Sequence, residues 1–185
     1  MPTICIFCSA REPLDKADTA YVGMVARSLA RRGFDLVYGG TINGLMREVA
    51  VIFQAEGRNT TGIVPRALYE SSAQGDIQNN LTRLIIVEDM AERKKEMMNL
   101  SDAYVILSGG AGTQDEFYEV FTHACLQSHC PTLPHVHSKP ILLPVNYADQ
   151  NDLNHSLMYH LRRMVKKGTL LQAHLNLLTF GRWNE

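Results

Sequence analysis

Ser108-Gly-Gly-Ala-Gly-Thr-Gln-Asp-Glu116 decides how the rest of this chain is read. Before it stands a short apolar run, Ala103-Tyr-Val-Ile-Leu107, of the kind found in buried parallel strands. After it, from Phe117 to Leu126, apolar residues recur at helical spacing. A strand, a glycine-rich turn and a helix start make the arrangement in which backbone N–H groups and a helix N-terminus cradle a phosphate. Gly109, Gly110 and Gly112 let the backbone turn sharply and approach an anion closely. The loop is not a P-loop, whose lysine is missing, nor a dinucleotide fingerprint, whose glycine spacing differs. Thr113 can cap the helix or reach a phosphate oxygen. Thr113-x-x-Glu116 reads both as a capping box and as a carboxylate set one turn inside an anion site.

Outward from this stretch, strands and helices alternate. The sequence predicts strands at Thr3–Cys8, Phe34–Tyr38, Thr61–Val64, Leu84–Val87 and Pro140–Val145, and an edge strand within Leu175–Phe180. Helices are predicted over Thr19–Arg32, Gly44–Glu56, Met90–Leu100 with Asp89 as cap, and Leu153–Lys167. Ala67 to Asn80 is polar and poorly periodic, and reads as a mobile loop beside the site. This pattern predicts one α/β domain over residues 1–185. Its expected form is a Rossmann-like, doubly wound, mostly parallel sheet with helices on both faces. Ligands of such sheets bind outside the carboxyl ends of the strands, which gathers Cys8–Pro13, Gly39–Gly44, Val87–Arg93 and Ser108–Thr113 into one crevice.

Composition narrows the classes. A chain of 185 residues with 45% hydrophobic content suits one sizeable core, and a net charge of −1 argues against a general nucleic-acid or membrane-surface binder. No apolar run approaches the length of a membrane span. An early strand leaves no room for a signal peptide, and the four cysteines form no disulfide framework, so the expected location is the cytoplasm. Cys5 and Cys8 face opposite ways on a strand, which disfavours a shared metal. The segment from Cys125 through His129, Cys130 and His135 to His137 matches no zinc spacing, and Pro131 and Pro134 mark it as surface loop.

Met90-Ala-Glu-Arg-Lys-Lys95 is the second informative stretch. Three cations occupy the start of a helix, where the dipole disfavours positive charge. Solvated side chains tolerate that position, helped by Asp89 and Glu92. The alternative is an anionic ligand held by the forked donors of Arg93 and by one lysine.

Met90-x-x-Arg93-Lys94 followed by Gly109-Gly-x-Gly-Thr113-x-x-Glu116 resembles the paired signature of the LOG family, cytokinin riboside 5′-monophosphate phosphoribohydrolases often labelled lysine decarboxylases. Val37-Tyr-Gly-Gly40, Gly44-Leu-Met46, Ser101-Asp-Ala103 and Lys139-Pro140 add to the match. The resemblance implies hydrolysis of the N-glycosidic bond of adenosine-type 5′-monophosphates by a homodimer without metal or organic cofactor. It makes Arg93 and Glu116 the catalytic pair and seats the phosphate on Gly109, Gly110, Ala111, Gly112 and Thr113. Gly39, Gly40, Met90 and Lys94 also fall at the substrate by the same likeness. The chain departs from the family at Ser108, where proline is usual, at Thr41 and Arg47, where glycines are usual, and in the first loop, which lacks a glycine-serine-serine pattern. Those departures motivate a second reading, a module of the same fold that holds a nucleotide or phosphorylated cofactor without cleaving it. Lysine decarboxylation has no support among these residues, because pyridoxal phosphate chemistry needs a Schiff-base lysine with a carboxylate at the ring nitrogen.

Overall fold

Side-chain alternation along the strands explains the layers. In the computed structural model, which describes residues 1–12, 15–71, 80–130, 132, 139–149 and 152–183, β1 (Thr3–Phe7) is central. It sends Ile4 and Ile6 into one core and Cys5 and Phe7 into another. β2 (Asp35–Tyr38) and β5 (Ala103–Ile106) flank it and divide their side chains the same way. The first core is closed by α1 (Lys16–Arg31) and α2 (Gly44–Ala55). On the opposite face lie α4 (Met90–Asn99), α5 (Ala111–His129) and α6 (Leu153–Lys166), with Met97, Phe117, Val120, Phe121, Leu157 and Leu161 facing the sheet. Strands buried on both sides read as the continuous apolar runs seen in the sequence.

The sheet has seven strands in the order β4-β3-β2-β1-β5-β6-β7, and every pairing is parallel. Its outer members are β3 (Thr60–Pro65) and β4 (Arg83–Val87) on one side, β6 (Ile141–Pro144) and β7 (Leu178–Gly181) on the other. The chain fills the sheet from β1 outward to β4, then returns to the far side of β1 with β5. Connections diverge at that point, so the β1 and β5 carboxyl ends open onto a crevice.

Three predicted elements need correction. Residues after β3 begin a short helix, α3 (Arg66–Ser71), not the loop expected from Ala67 onward; residues 72–79 lie outside the described ones. No residue of α3 is buried, so it had no apolar stripe to read. A further short helix, α7 (Gln172–Leu175), precedes the β7 edge strand. The most consequential difference is the start of α5. It opens at Ala111 with Gly110 as cap, so Thr113 sits inside the first turn and no capping box joins it to Glu116.

Gly44 holds two parts of the crevice together. Its φ is +60°, and a Cβ there would lie 2.7 Å from the Ala10 carbonyl carbon, 2.8 Å from the Ser9 oxygen and 2.9 Å from the Arg11 oxygen. Gly57 has a similar φ of +70° but nothing within 4 Å of a Cβ, which makes it a control for backbone strain alone. In urea titrations, Gly57→Ala should cost about 1 kcal/mol, and Gly44→Ala about 3 kcal/mol. Equal costs would show that the first loop does not press on Gly44.

Candidate active site

Local chemistry turns Arg93 inward. Asp89 caps α4 by accepting the Glu92 N–H at 2.8 Å, and the Glu92 carboxylate accepts the Glu88 N–H at 2.8 Å. With the first turn fixed, the Arg93 side chain runs beneath α5 and is only 7% exposed. Its Nε donates to the Ile63 carbonyl at 3.0 Å and its Nη1 to Glu116 Oε1 at 3.3 Å. Gly39, at the end of β2, makes room for the guanidinium, since a Cβ there would collide with Nη2. Glu116 is 4% exposed and sits in the inward stripe of α5 beside Thr113, Phe117 and Val120. A carboxylate placed among apolar neighbours needs a partner, and Arg93 supplies it.

Burial pushes the Glu116 carboxyl from its ordinary value of 4.5 up to about 7. Arg93 and Lys94 pull it back down, while Asp115 and Glu119 push it further up. The Cys8 thiol, also at the site, is raised by burial and then by the charge of Glu116. Glu116 therefore has a proton affinity suited to exchanging a proton near neutral pH.

A cavity of about 300 Å³ opens over this pair. Its walls come from the first loop (Cys8 to Arg11), from Met46 on α2, from Met90 and Arg93 on α4, and from Gly110 to Thr113 with Glu116 on α5. The crevice expected from the sheet topology thus contains Met90, Arg93, Gly110, Ala111, Gly112, Thr113 and Glu116. Four residues expected at the substrate lie outside that wall. Lys94 turns away, donating to Asp115 at 2.8 Å and pairing with Glu119 at 2.5 Å. Gly39 lies under Arg93, Gly109 under the Thr113 side chain, and Gly40 against Gly62 and Val64, where any side chain would clash. Cys8, Ser9, Ala10 and Arg11, with Met46 on α2, were not assigned from sequence, although the carboxyl-end rule had gathered Cys8–Pro13 into the crevice.

The departures from the family pattern also find places. Ser108 Oγ donates to Asp18 Oδ1 of α1 at 3.1 Å, a tie that proline cannot make. The Thr41 hydroxyl oxygen accepts the Asn43 N–H at 3.2 Å, and Arg47 is exposed outside the cavity wall. Of the Cys125–His137 segment, His129 meets His174 at 3.3 Å, while 131 and 133–138 lie outside the described residues. Among the described residues no group of three or more His, Cys, Asp or Glu side chains is arranged to hold a metal ion.

Comparison with known proteins supplies the family. The family described as possible lysine decarboxylase matches residues 45–184. The chain belongs to this family. Relatives within it carry the LOG name expected from the paired motifs. A probable cytokinin riboside 5′-monophosphate phosphoribohydrolase of Oryza sativa subsp. japonica is 35% identical over 139 residues, 75% of this chain and 56% of its own. A cytokinin riboside 5′-monophosphate phosphoribohydrolase of Arabidopsis thaliana is 36% identical over 126 residues, 68% of this chain and 57% of its own. The chain thus spans about half the length of the curated relatives it matches. Among solved structures, the molybdenum cofactor binding protein of Rippkaea orientalis superposes with a TM-score of 0.65 at 17% identity, covering 97% of this chain and 88% of that one. The molybdenum cofactor carrier protein of Chlamydomonas reinhardtii gives the same score and identity, with 97% and 89% covered. At such identities the likeness establishes the fold alone.

The folded state holds the Glu116 proton to higher pH than the unfolded chain does. Its contribution to stability is therefore full below about pH 4.5 and is lost as the pH rises through about 7. Carbon-13 NMR of labelled glutamates should show one carboxyl with a midpoint near 7, absent in Glu116→Gln and shifted upward in Arg93→Met.

Proposed function

We propose that this protein hydrolyses the N-glycosidic bond of adenosine 5′-monophosphates, including N6-substituted ones, releasing the free base and ribose 5-phosphate. The observation that carries the reading is the buried Arg93–Glu116 pair at the floor of a cavity whose wall is the N-terminus of a 19-residue helix. Amides of Gly110, Ala111, Gly112 and Thr113 begin that helix, where unpaired N–H groups and the dipole favour an anion. A phosphate seated there sets the sugar near the carboxyl.

Cleavage builds positive charge on the ribose ring, and an adjacent carboxylate stabilises it. Glu116 in its ionised form also takes a proton from the attacking water. The water oxygen bonds to the anomeric carbon as the bond to the base nitrogen breaks. Its electron pair leaves with the base, which is protonated from solvent. Arg93 holds the carboxylate in place and keeps its basicity from rising further. Binding energy from the remote phosphate serves the reacting carbon, which favours nucleotides over nucleosides. Lysine decarboxylation fits less well, because no lysine lines the cavity among the described residues. We further propose a homodimer; Tyr118 and Leu126, exposed on α5, are apolar surface that a second copy would cover.

Chromatography after incubation with a panel of 5′-monophosphates should reveal free base, with AMP or an N6-substituted AMP preferred. Glu116→Gln should lower kcat by about 100-fold or more with an unchanged circular dichroism spectrum. In the unsubstituted protein kcat/KM should rise between pH 6 and pH 8 with an apparent midpoint near 7, because the ionised carboxyl is the active form. A nucleotide that raises Tm while no base is released over hours would instead select the binding module.

A further inference from the structure

A phosphate dianion in the cavity needs positive charge, and most of the nearby cations are already engaged. Arg93 gives Nε to the Ile63 carbonyl and Nη1 to Glu116. Lys94 is outside the wall and is held by Asp115 and Glu119. The first turn of α5 contributes amides but carries no basic side chain. Arg11 is the other cation in the cavity wall. Among the described residues its guanidinium has no carboxylate, carbonyl or ring partner.

Its backbone, by contrast, is tightly placed. The Arg11 N–H donates to Ser9 Oγ at 3.0 Å, and the Ser9 N–H donates to the Ser108 carbonyl at 3.0 Å. From the other side, the Met46 N–H donates to the Ser9 carbonyl at 3.2 Å, and the Gly44 N–H to Glu12 Oε1 at 3.3 Å. The first loop is thus stitched to the glycine-rich turn and to the first turn of α2. Glu12, the neighbouring acid, is occupied with Gly44. Arg11 itself is exposed, and the fastened loop holds it in the cavity wall.

We propose that Arg11 is the side chain that binds the substrate phosphate, its forked donors completing the cradle begun by the amides of Gly110 to Thr113. This rests on the nucleotide-hydrolase reading of the same cavity and assigns a residue of the first loop, where the chain departs from the glycine-serine-serine pattern. Arg11 then acts on binding and not on the chemical step, since it holds a group remote from the reacting carbon.

Calorimetry with ribose 5-phosphate, and steady-state kinetics with AMP and with adenosine, test the assignment in the unsubstituted protein, Arg11→Ala and Arg11→Lys. Loss of hydrogen bonds to a charged group predicts ribose 5-phosphate affinity weakened about 10- to 100-fold in Arg11→Ala. KM for AMP should rise by the same factor, kcat should stay within about 3-fold, and adenosine turnover should not change. Arg11→Lys should recover part of the loss, because it restores the charge without the fork. Affinity within about 2-fold of the unsubstituted protein in Arg11→Ala, or no ribose 5-phosphate binding in either, overturns the assignment. Base release with an unaltered KM sinks Arg11 and leaves the hydrolase reading standing. Weakened binding without base release in any form sinks the hydrolase reading and leaves Arg11 standing.

Discussion

A guanidinium and a carboxylate buried against each other set the terms for everything around them. Neither Arg93 nor Glu116 is stable in the interior alone, because an unpaired buried ion is costly. Their mutual contact is incomplete, a single 3.3 Å hydrogen bond, so the surroundings supply what is missing. The Ile63 carbonyl takes a second donor of Arg93, and the absence of a side chain at Gly39 opens the space the guanidinium fills. Even so, Glu116 keeps a raised proton affinity, because burial outweighs the attraction of Arg93. An ion pair that neither fully neutralises its acid nor fully exposes it suits proton exchange better than scaffolding.

Much of this was legible in the chain itself. Short apolar runs located six of the seven strands closely, and the rule that ligands bind at strand carboxyl ends selected the four loops. The edge strand near the C-terminus was harder, because α7 interrupts its approach. The start of α5 was misplaced because Thr113 is a good capping residue, while the actual cap, Gly110, makes no side-chain hydrogen bond. Nothing in local sequence tells which of Arg93, Lys94 and Lys95 turns inward. That follows from the phase of α4, in which Arg93 and Met97 share the buried face and Lys94 faces α5. Met46 belonged to the site only once the first turn of α2 was seen to meet the Ser9 carbonyl.

Shared architecture leaves the function to the site. Carriers of a molybdenum cofactor superpose on nearly the whole chain, yet at 17% identity they report only the fold. What separates binding from cleavage in such a fold is the small set of groups beneath the ligand. Here those groups are an acid with near-neutral proton affinity and a basic partner that limits how far that affinity rises.

Lys94 adds one consequence. Next to the buried contact between α4 and α5 runs an outer tie, in which Lys94 meets Asp115 and Glu119, with the two carboxylate side chains 60% and 27% exposed. The helices are therefore joined by a wet rung and a dry one. Mobile ions damp the wet rung over a distance of about 8 Å at physiological ionic strength, while the dry rung is shielded from them by the protein itself. Brine would slacken the outer brace more than the inner pair, whose two side chains are only 9% and 5% exposed, so salt sorts the two rungs by their depth.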